Sequence, residues 1–154
     1  FYPIFKKQKN LDYLTADMES PIADLHFDLH EIPLEENTFD VIFCNHVLEH
    51  VEDDHKCMQE LFRVMKKGGW GIFQVPIDYN NKKTYEDSLI TDPKQREIHF
   101  WQKDHLRLYG LDYPKKLEKV GFKINVFDPK KFLKEFDYEK LRLNPSELIY
   151  IVSK

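Results

Sequence analysis

Cysteine and long apolar runs are scarce in this sequence, and each scarcity excludes a class of protein. Only two cysteines, Cys44 and Cys57, occur among 154 residues. We therefore expect no disulfide framework, and we expect a reducing, cytoplasmic setting. No apolar run approaches the roughly 20 residues of a membrane-spanning helix, so no membrane contact is expected. A chain of this length fits one domain, and we expect residues 1–154 to form a single one.

Basic side chains are nearly absent from residues 11–60. Residues 11–60 hold fourteen acidic side chains and a single basic one, Lys56. A nucleic-acid groove needs clustered lysine and arginine to meet phosphates, so a nucleic-acid partner is not expected. The expected partner is a small-molecule substrate, and the sequence leaves the oligomeric state open.

The clearest pattern in the chain is a strand followed by a helix. Phe39–Asn45, FDVIFCN, is apolar nearly throughout, which predicts a parallel strand that is buried on both faces. From Glu52 to Lys67 apolar residues recur every three or four positions and Gly68 follows, which predicts an amphipathic helix with a glycine stop. The polar stretch between them follows the carboxyl end of a strand, where open α/β sheets bind ligands.

Weaker patterns predict the remaining elements. Alternation and apolar runs predict strands over residues 11–16, 23–29, 70–75, 122–127 and 148–152. Asp92 before Pro93, and Asp112 before a segment that ends at Gly121, predict the starts of two more helices. The long polar connection 77–104 is expected to be a lid or substrate loop. This succession indicates a doubly wound α/β sheet whose last two strands form an antiparallel hairpin.

Taken in order, these features resemble a known family. The residues that carry the resemblance are Asp17 at one strand end, Asp28-Leu29 at the next, EIPLEENTFDVIFCNHVLEHV, ELFRVMKKGGWGIFQVPI and LEKVGFKI. They are similar to class I S-adenosylmethionine-dependent methyltransferases, and more narrowly to the type 11 methyltransferase-domain group. The resemblance implies a Rossmann-like, seven-stranded sheet that is mostly parallel with an antiparallel last strand. It also implies methyl transfer to a small-molecule or saccharide-linked acceptor.

The resemblance implies a site for S-adenosylmethionine as well. Asp17 corresponds to the carboxylate that accepts hydrogen bonds from the ribose hydroxyls, and Met18 would lie beside the adenine. Asp28 corresponds to the carboxylate that meets the adenine amino group, and Leu29 would donate its backbone N–H to the ring. The positions expected to line the methionine portion are Asn45, His46 and His50.

The family's first strand and its glycine-rich loop have no counterpart in this sequence. The glycines of the chain are Gly68, Gly69, Gly71, Gly110 and Gly121. We therefore expect an incomplete domain, a fragment of a longer methyltransferase. The neighbours of a missing strand would keep unpaired backbone groups, through which the chain could associate with a second copy.

Two other functions stay open. His46, Glu49 and His50 spell H-x-x-E-H, the inverted zinc-peptidase motif, which would make the chain a zinc-dependent hydrolase. That motif belongs inside a helix, whereas here it directly follows a predicted strand, so the methyltransferase is preferred and no metal site is expected. The second alternative is a non-catalytic binding module that keeps the methyltransferase fold without the cofactor loop.

Titratable residues gather again just after the 77–104 connection. His105 and Arg107 are the expected catalytic residues, because histidine can act as a general base near neutral pH and arginine can clamp an anionic acceptor. Cys44 lies within an apolar strand and is interpreted as a packing residue rather than a nucleophile.

Overall fold

The computed structural model describes residues 2–132, 138–140, 144 and 146–154. In chain order, its helices are α1 (Tyr2–Phe5), α2 (Asp54–Val64), α3 (Pro93–Phe100), α4 (Tyr113–Val120) and α5 (Pro129–Phe132). Its strands are β1 (Phe39–Asn45), β2 (Met65–Gln74), β3 (Tyr85–Glu86), β4 (Arg107–Leu108), β5 (Lys123–Phe127) and β6 (Ile149–Ser153).

Four of these strands form the central sheet, in the order β1-β2-β6-β5. β1 and β2 are parallel, and β6 is antiparallel to both of its neighbours, β2 and β5. β1, β2 and β5 therefore run in one direction and β6 alone runs in the other. This confirms the predicted α/β fold with its antiparallel last strand. Within the described residues the sheet has four strands, rather than the seven that the resemblance implies.

The two strands predicted before position 30 are reduced to one parallel bridge, between Ala16 and Leu25. Local side-chain bonds take the place of the expected ladder. The Asp24 carboxylate accepts hydrogen bonds from the backbone N–H and the hydroxyl of Thr15, and Asp17 accepts from two backbone N–H groups of its own turn. Such bonds offer the backbone an alternative to sheet pairing, which the alternation pattern alone could not reveal.

β1 lies at the edge of the sheet in the part of the chain that the structure describes, because it pairs only with β2. The prediction that this strand is buried on both faces is therefore wrong. Cys44 is buried, but Val41 and Phe43 are exposed. The ring of Phe43 still has aromatic neighbours, with Phe5 and Trp70 each 6.0 Å away between ring centroids.

α2 ends earlier than its sequence pattern predicted. The helix stops at Val64, so Lys66 and Lys67, which were expected in its last turn, lie in β2. The cause is tertiary, since the carbonyl of Val64 accepts a hydrogen bond from the N–H of Thr38 at 2.8 Å and the chain enters the sheet at once. Gly68, with φ +78°, lies in β2 where the pairing with β1 shifts its register, and it does not end the helix.

The other two helix starts behave differently from each other. Asp92 caps α3 as predicted, with its carboxylate accepting from two backbone N–H groups of the first turn. Asp112 precedes α4, but its carboxylate accepts from the backbone N–H and hydroxyl of Thr84 instead, which ties α4 to the 77–104 connection. Gly121 ends α4 with φ +121°, as predicted. The role of that connection as a lid stays a prediction.

The core lies between the sheet and helices α2 and α4. Tyr113 is fully buried there, and its ring meets those of Tyr109 and Tyr150 at 4.9 and 5.2 Å. Cys44 and Cys57 are both free and buried in this core, which supports the packing interpretation of Cys44. Burial raises the pKa of both thiols to about 12, so neither is a nucleophile at neutral pH.

Candidate functional site

The carboxyl end of β1 delivers a polar turn to one end of the sheet. Asn45 ends the strand, and His46 adopts a left-handed backbone conformation with φ +56°. The His46 N–H donates to the carbonyl of Gln74 at 2.8 Å, which holds the turn against the end of β2. A positive φ is uncommon for a residue with a side chain, and such positions cluster at functional sites. The His46 side chain is 55% exposed and can meet a ligand.

Glu49 lies in the same turn, and its carboxylate is buried without a hydrogen bond. The residue is 1% exposed, and neither carboxylate oxygen has a hydrogen-bond partner among the described residues. Nδ1 of His46 lies 3.3 Å from Oε1, at ion-pair distance but outside hydrogen-bond geometry. A buried carboxylate with no donor carries an uncompensated desolvation cost. It is therefore a strong candidate for a group with a further task.

His50 and His105 complete the cluster around Glu49. Their rings meet edge to face, with 4.7 Å between centroids, and Nδ1 of His50 lies 3.6 Å from a carboxylate oxygen of Asp104. His105 is 1% exposed, and its Nδ1 is 2.8 Å from the carbonyl oxygen of Phe100. Nε2 of His105 has no hydrogen-bond partner among the described residues. The structure thus brings together two residues that are 55 positions apart in the sequence.

Arg107 is buried, and its guanidinium is occupied by the protein. The residue is 4% exposed. Nη1 donates to the carbonyls of Leu48 and Val51, Nη2 donates to the carbonyl of Glu52, and Nε donates to the carboxylate of Glu86. These bonds hold the turn between β1 and α2, and the contact of Arg107 with an acceptor stays a prediction.

Asp54 is a buried charged residue at the start of α2 that sequence reasoning did not single out. Its carboxylate accepts from the hydroxyl of Tyr109 at 2.8 Å and pairs with Nζ of Lys116 at 2.8 Å. Burial alone would raise its pKa, but these partners and Arg107 outweigh burial, and the net pKa is lower than usual. In the sequence Asp54 is one acid among several at a helix start, and nothing there distinguishes it.

Asp17 and Asp28 each carry a carboxylate that local bonds hold in place. Oδ1 of Asp17 accepts from the N–H groups of Glu19 and Ser20, which lower its pKa. Oδ1 of Asp28 accepts from the backbone N–H and the ring of His30, which lower its pKa. In both residues Oδ2 makes no hydrogen bond to any residue that the structure describes. Both carboxylates are therefore ionised at neutral pH, and Oδ2 of each can accept a hydrogen bond from a ligand.

The positions expected to hold the cofactor fall into two groups. Nε2 of His30 accepts from the N–H of Asp53, so Asp28, and Leu29 with it, is connected to the turn that follows β1. Asp17 is held separately beside the bridge near the N-terminus, and the neighbouring Met18 is 63% exposed. Two surface cavities of about 490 Å³ flank α2, and the residues expected to bind the cofactor do not line either of them.

The H-x-x-E-H set does not converge. The motif occupies a turn rather than a helix, and His46, with its left-handed backbone, is not part of the cluster that could hold a metal ion. The ligand atoms that come within 4.8 Å of one another belong to Glu49, His50 and His105. The arrangement of a zinc peptidase is therefore not built here, and nothing in the described residues supports the hydrolase.

Comparison with known proteins gives a family match over part of the chain and a fold. Residues 4–73 match the family described as "Methyltransferase domain". No curated protein matches the sequence. Residues 4–73 include β1, α2 and most of β2, and so contain the polar turn on which the candidate site is built.

Solved structures share the fold at low sequence identity. An S-adenosylmethionine-dependent methyltransferase from Archaeoglobus fulgidus is similar with a TM-score of 0.54 and 13% identity, over 90% of this chain and 74% of that one. The cyclase SpnF is similar with a TM-score of 0.54 and 17% identity, over 84% of this chain and 54% of that one. Phosphoethanolamine N-methyltransferase 2 from Haemonchus contortus, in complex with S-adenosyl-L-methionine, is similar with a TM-score of 0.52 and 18% identity, over 84% of this chain and 36% of that one.

These likenesses concern the fold alone, and the chain spans about half the length of the cyclase. None of the described helices has the length and apolar character of a membrane span.

Three observations agree with one another. They are the strand order β1-β2-β6-β5 with β6 reversed, the fold shared with the solved methyltransferases and the family match over residues 4–73. Residues 4–73 of this chain are thus similar to a methyltransferase domain, and the described residues share the fold of solved S-adenosylmethionine-dependent methyltransferases.

Proposed function

We propose that this chain binds S-adenosylmethionine at the carboxyl end of its sheet and serves methyl transfer to a small-molecule or saccharide-linked acceptor. The observation that carries the proposal is the pair of exposed, ionised carboxylates of Asp17 and Asp28, in each of which Oδ1 alone accepts hydrogen bonds from described residues. We also propose a reducing, cytoplasmic setting, because Cys44 and Cys57 are both free and buried.

The residues present fit the polar end of the cofactor. Oδ2 of Asp17 would accept from the ribose hydroxyls, because a carboxylate offers acceptors for both of them. Oδ2 of Asp28 would accept from the adenine amino group. The backbone N–H of Leu29 makes no hydrogen bond to a described residue, and it would donate to the ring. Met18 is an exposed apolar side chain that would cover the adenine.

The chemistry asks little of the protein. When bound, S-adenosylmethionine supplies a methyl group on a sulfonium centre, which is activated already. Asn45, His46 and His50 would line the methionine portion of the cofactor at the end of β1 and exclude water from the acceptor. The His46 ring has Nδ1 facing the Glu49 carboxylate at 3.3 Å, so its Nε2 would take the proton of a weakly nucleophilic acceptor.

The proposal gives separate tasks to the remaining predicted site residues. His50 borders the same turn and would support the position of His46. His105 and Arg107 are almost fully buried, so we assign them to the framework behind the site rather than to contact with the acceptor. Arg107 acts through the turn that it holds.

Cofactor binding tests the proposal directly. Calorimetric titration with S-adenosylhomocysteine should show one site, and Asp17→Asn and Asp28→Asn should each weaken binding about tenfold or more, because a hydrogen bond to a charged group contributes about 1.5–3 kcal/mol. Asparagine keeps the Oδ1 acceptor that each local turn uses. Asp128→Asn is the matched control, since Asp128 accepts from a backbone N–H in the same way but follows β5 at the opposite edge of the sheet.

Two outcomes would count against the proposal. Equal affinity in Asp17→Asn, Asp28→Asn and Asp128→Asn would show that these carboxylates do not bind the cofactor. No binding by the unsubstituted protein would favour the non-catalytic binding module.

A further inference from the structure

Three potential metal ligands meet beneath the turn that follows β1. Glu49, His50 and His105 each offer a ligand atom, and these atoms lie within 4.8 Å of one another. Glu49 and His105 are each 1% exposed, and His50 is partly exposed at the mouth of the cluster. The cluster is thus closed on the protein side and open at His50.

The hydrogen bond of His105 determines which of its nitrogens can bind a cation. A carbonyl oxygen only accepts, so the contact of Nδ1 with the Phe100 carbonyl at 2.8 Å places the ring hydrogen on Nδ1. Nε2 then carries a lone pair, and it has no donor among the described residues. Histidines that bind metals are oriented in this way, with the other ring N–H donated to a carbonyl or carboxylate.

Glu49 supplies the negative charge. Both of its carboxylate oxygens are acceptors and both are buried without a hydrogen bond in the described structure. The nearby His46 Nδ1, 3.3 Å from Oε1, leaves Oε2 for another partner. A divalent cation between this buried carboxylate and the buried imidazole lone pair would offset the desolvation cost of both groups.

We propose that Glu49, His50 and His105 bind one divalent transition-metal ion of the zinc class. A ligand set of two imidazoles and one carboxylate binds such ions in preference to calcium or magnesium. Bonds of about 2.0–2.2 Å would bring the ligand atoms to roughly 3.3 Å apart in a tetrahedral site, so the 4.8 Å cluster has to contract slightly. Three protein ligands leave a fourth position for water or another exogenous ligand.

This ligand set shares Glu49 and His50 with the H-x-x-E-H motif, and His50 is also one of the positions predicted to line the cofactor. His105, on the connection between α3 and β4, replaces His46. The ion would join that connection to the turn between β1 and α2, which the N–H of Leu106 already contacts by donating to the Glu49 carbonyl at 2.9 Å. The inference does not rest on methyl transfer, and it can hold if the proposed function fails.

Metal titration tests the site. Protein without a histidine tag is stripped with a chelator and titrated with Zn²⁺ alone by calorimetry, and with Co²⁺ alone while its visible absorption is recorded. We expect one equivalent bound, and Glu49→Gln, His50→Ala and His105→Ala should each weaken binding by at least about tenfold. His55→Ala, on the exposed face of α2, is the matched histidine control and should bind as the unsubstituted protein does.

The variants also separate the two possible ligand sets. His46→Ala should keep the affinity for Zn²⁺, and a loss there with no loss in His105→Ala would overturn the assignment. Failure of the unsubstituted protein to bind one equivalent, or binding unchanged in all three ligand variants, would overturn it as well. Circular dichroism checks folding, and the partly exposed His50→Ala keeps the test decisive should the buried variants unfold.

Discussion

Replacing Arg107 with methionine should destabilise the fold strongly, because its guanidinium holds a turn of the backbone. The side chain is 4% exposed and donates to three carbonyls, those of Leu48, Val51 and Glu52, as well as to the Glu86 carboxylate. Methionine retains the apolar stem but removes every donor. The carbonyls of this turn would then be left without their charged partner.

The magnitude follows from the environment of each bond. Removing one member of a buried, charged network costs about 3–5 kcal/mol. The Leu48 carbonyl keeps a hydrogen bond from the Tyr109 hydroxyl at 3.2 Å, and the carbonyls of Val51 and Glu52 can reach water because those residues are not buried. We therefore expect the low end of the range, about 3 kcal/mol. Arg107→Lys keeps the charge but not the planar fork, and should cost about 2 kcal/mol.

Urea unfolding, followed by circular dichroism, measures the effect. With a slope of about 1–3 kcal/mol per molar urea, the Arg107→Met midpoint should fall by roughly 1–3 M. Arg96→Met is the matched control, because Nε of Arg96 makes one bond, to the Ile90 carbonyl at 3.1 Å, in a partly buried place, and it should cost less than about 1 kcal/mol. Equal midpoints for the two variants would refute the structural role of Arg107.

Two further predictions concern titration. The pKa of Asp54 is lower in the folded protein than its usual 3.8, because Lys116 and Tyr109 outweigh the effect of burial. The ionised carboxylate therefore stabilises the fold above about pH 3.8. This stabilisation is lost as the pH falls below that value toward the pKa of the folded state. Asp54→Asn should flatten the acid side of the stability curve measured by urea unfolding, and an unchanged curve would contradict this assignment. Cys44 and Cys57 should react with a thiol reagent only after unfolding, because burial raises the pKa of both thiols to about 12. The rate of labelling is measured for the native protein and for a urea-unfolded sample. Rapid labelling of the native protein would show that the core opens.

Much of the central fold could be predicted from local pattern. The apolar run of β1, the capping of α3 by Asp92 and the end of α4 at Gly121 depend on neighbouring residues, and the structure confirms all three. The strands predicted before position 30 were overestimated because side-chain bonds such as those of Asp24 compete with the ladder. The end of α2 was misplaced because Thr38, far along the chain, determines it.

The sequence by itself determined the family resemblance and the position of the polar turn, since both reside in an ordered series of short motifs. Only the tertiary structure decided what the titratable residues of that turn can do. In the folded chain, Arg107 is buried and donates hydrogen bonds to three carbonyls. The same fold places His105 close to Glu49 and His50. Contacts between residues 55 positions apart depend on how two connections fold over the same end of the sheet, and no local pattern encodes that.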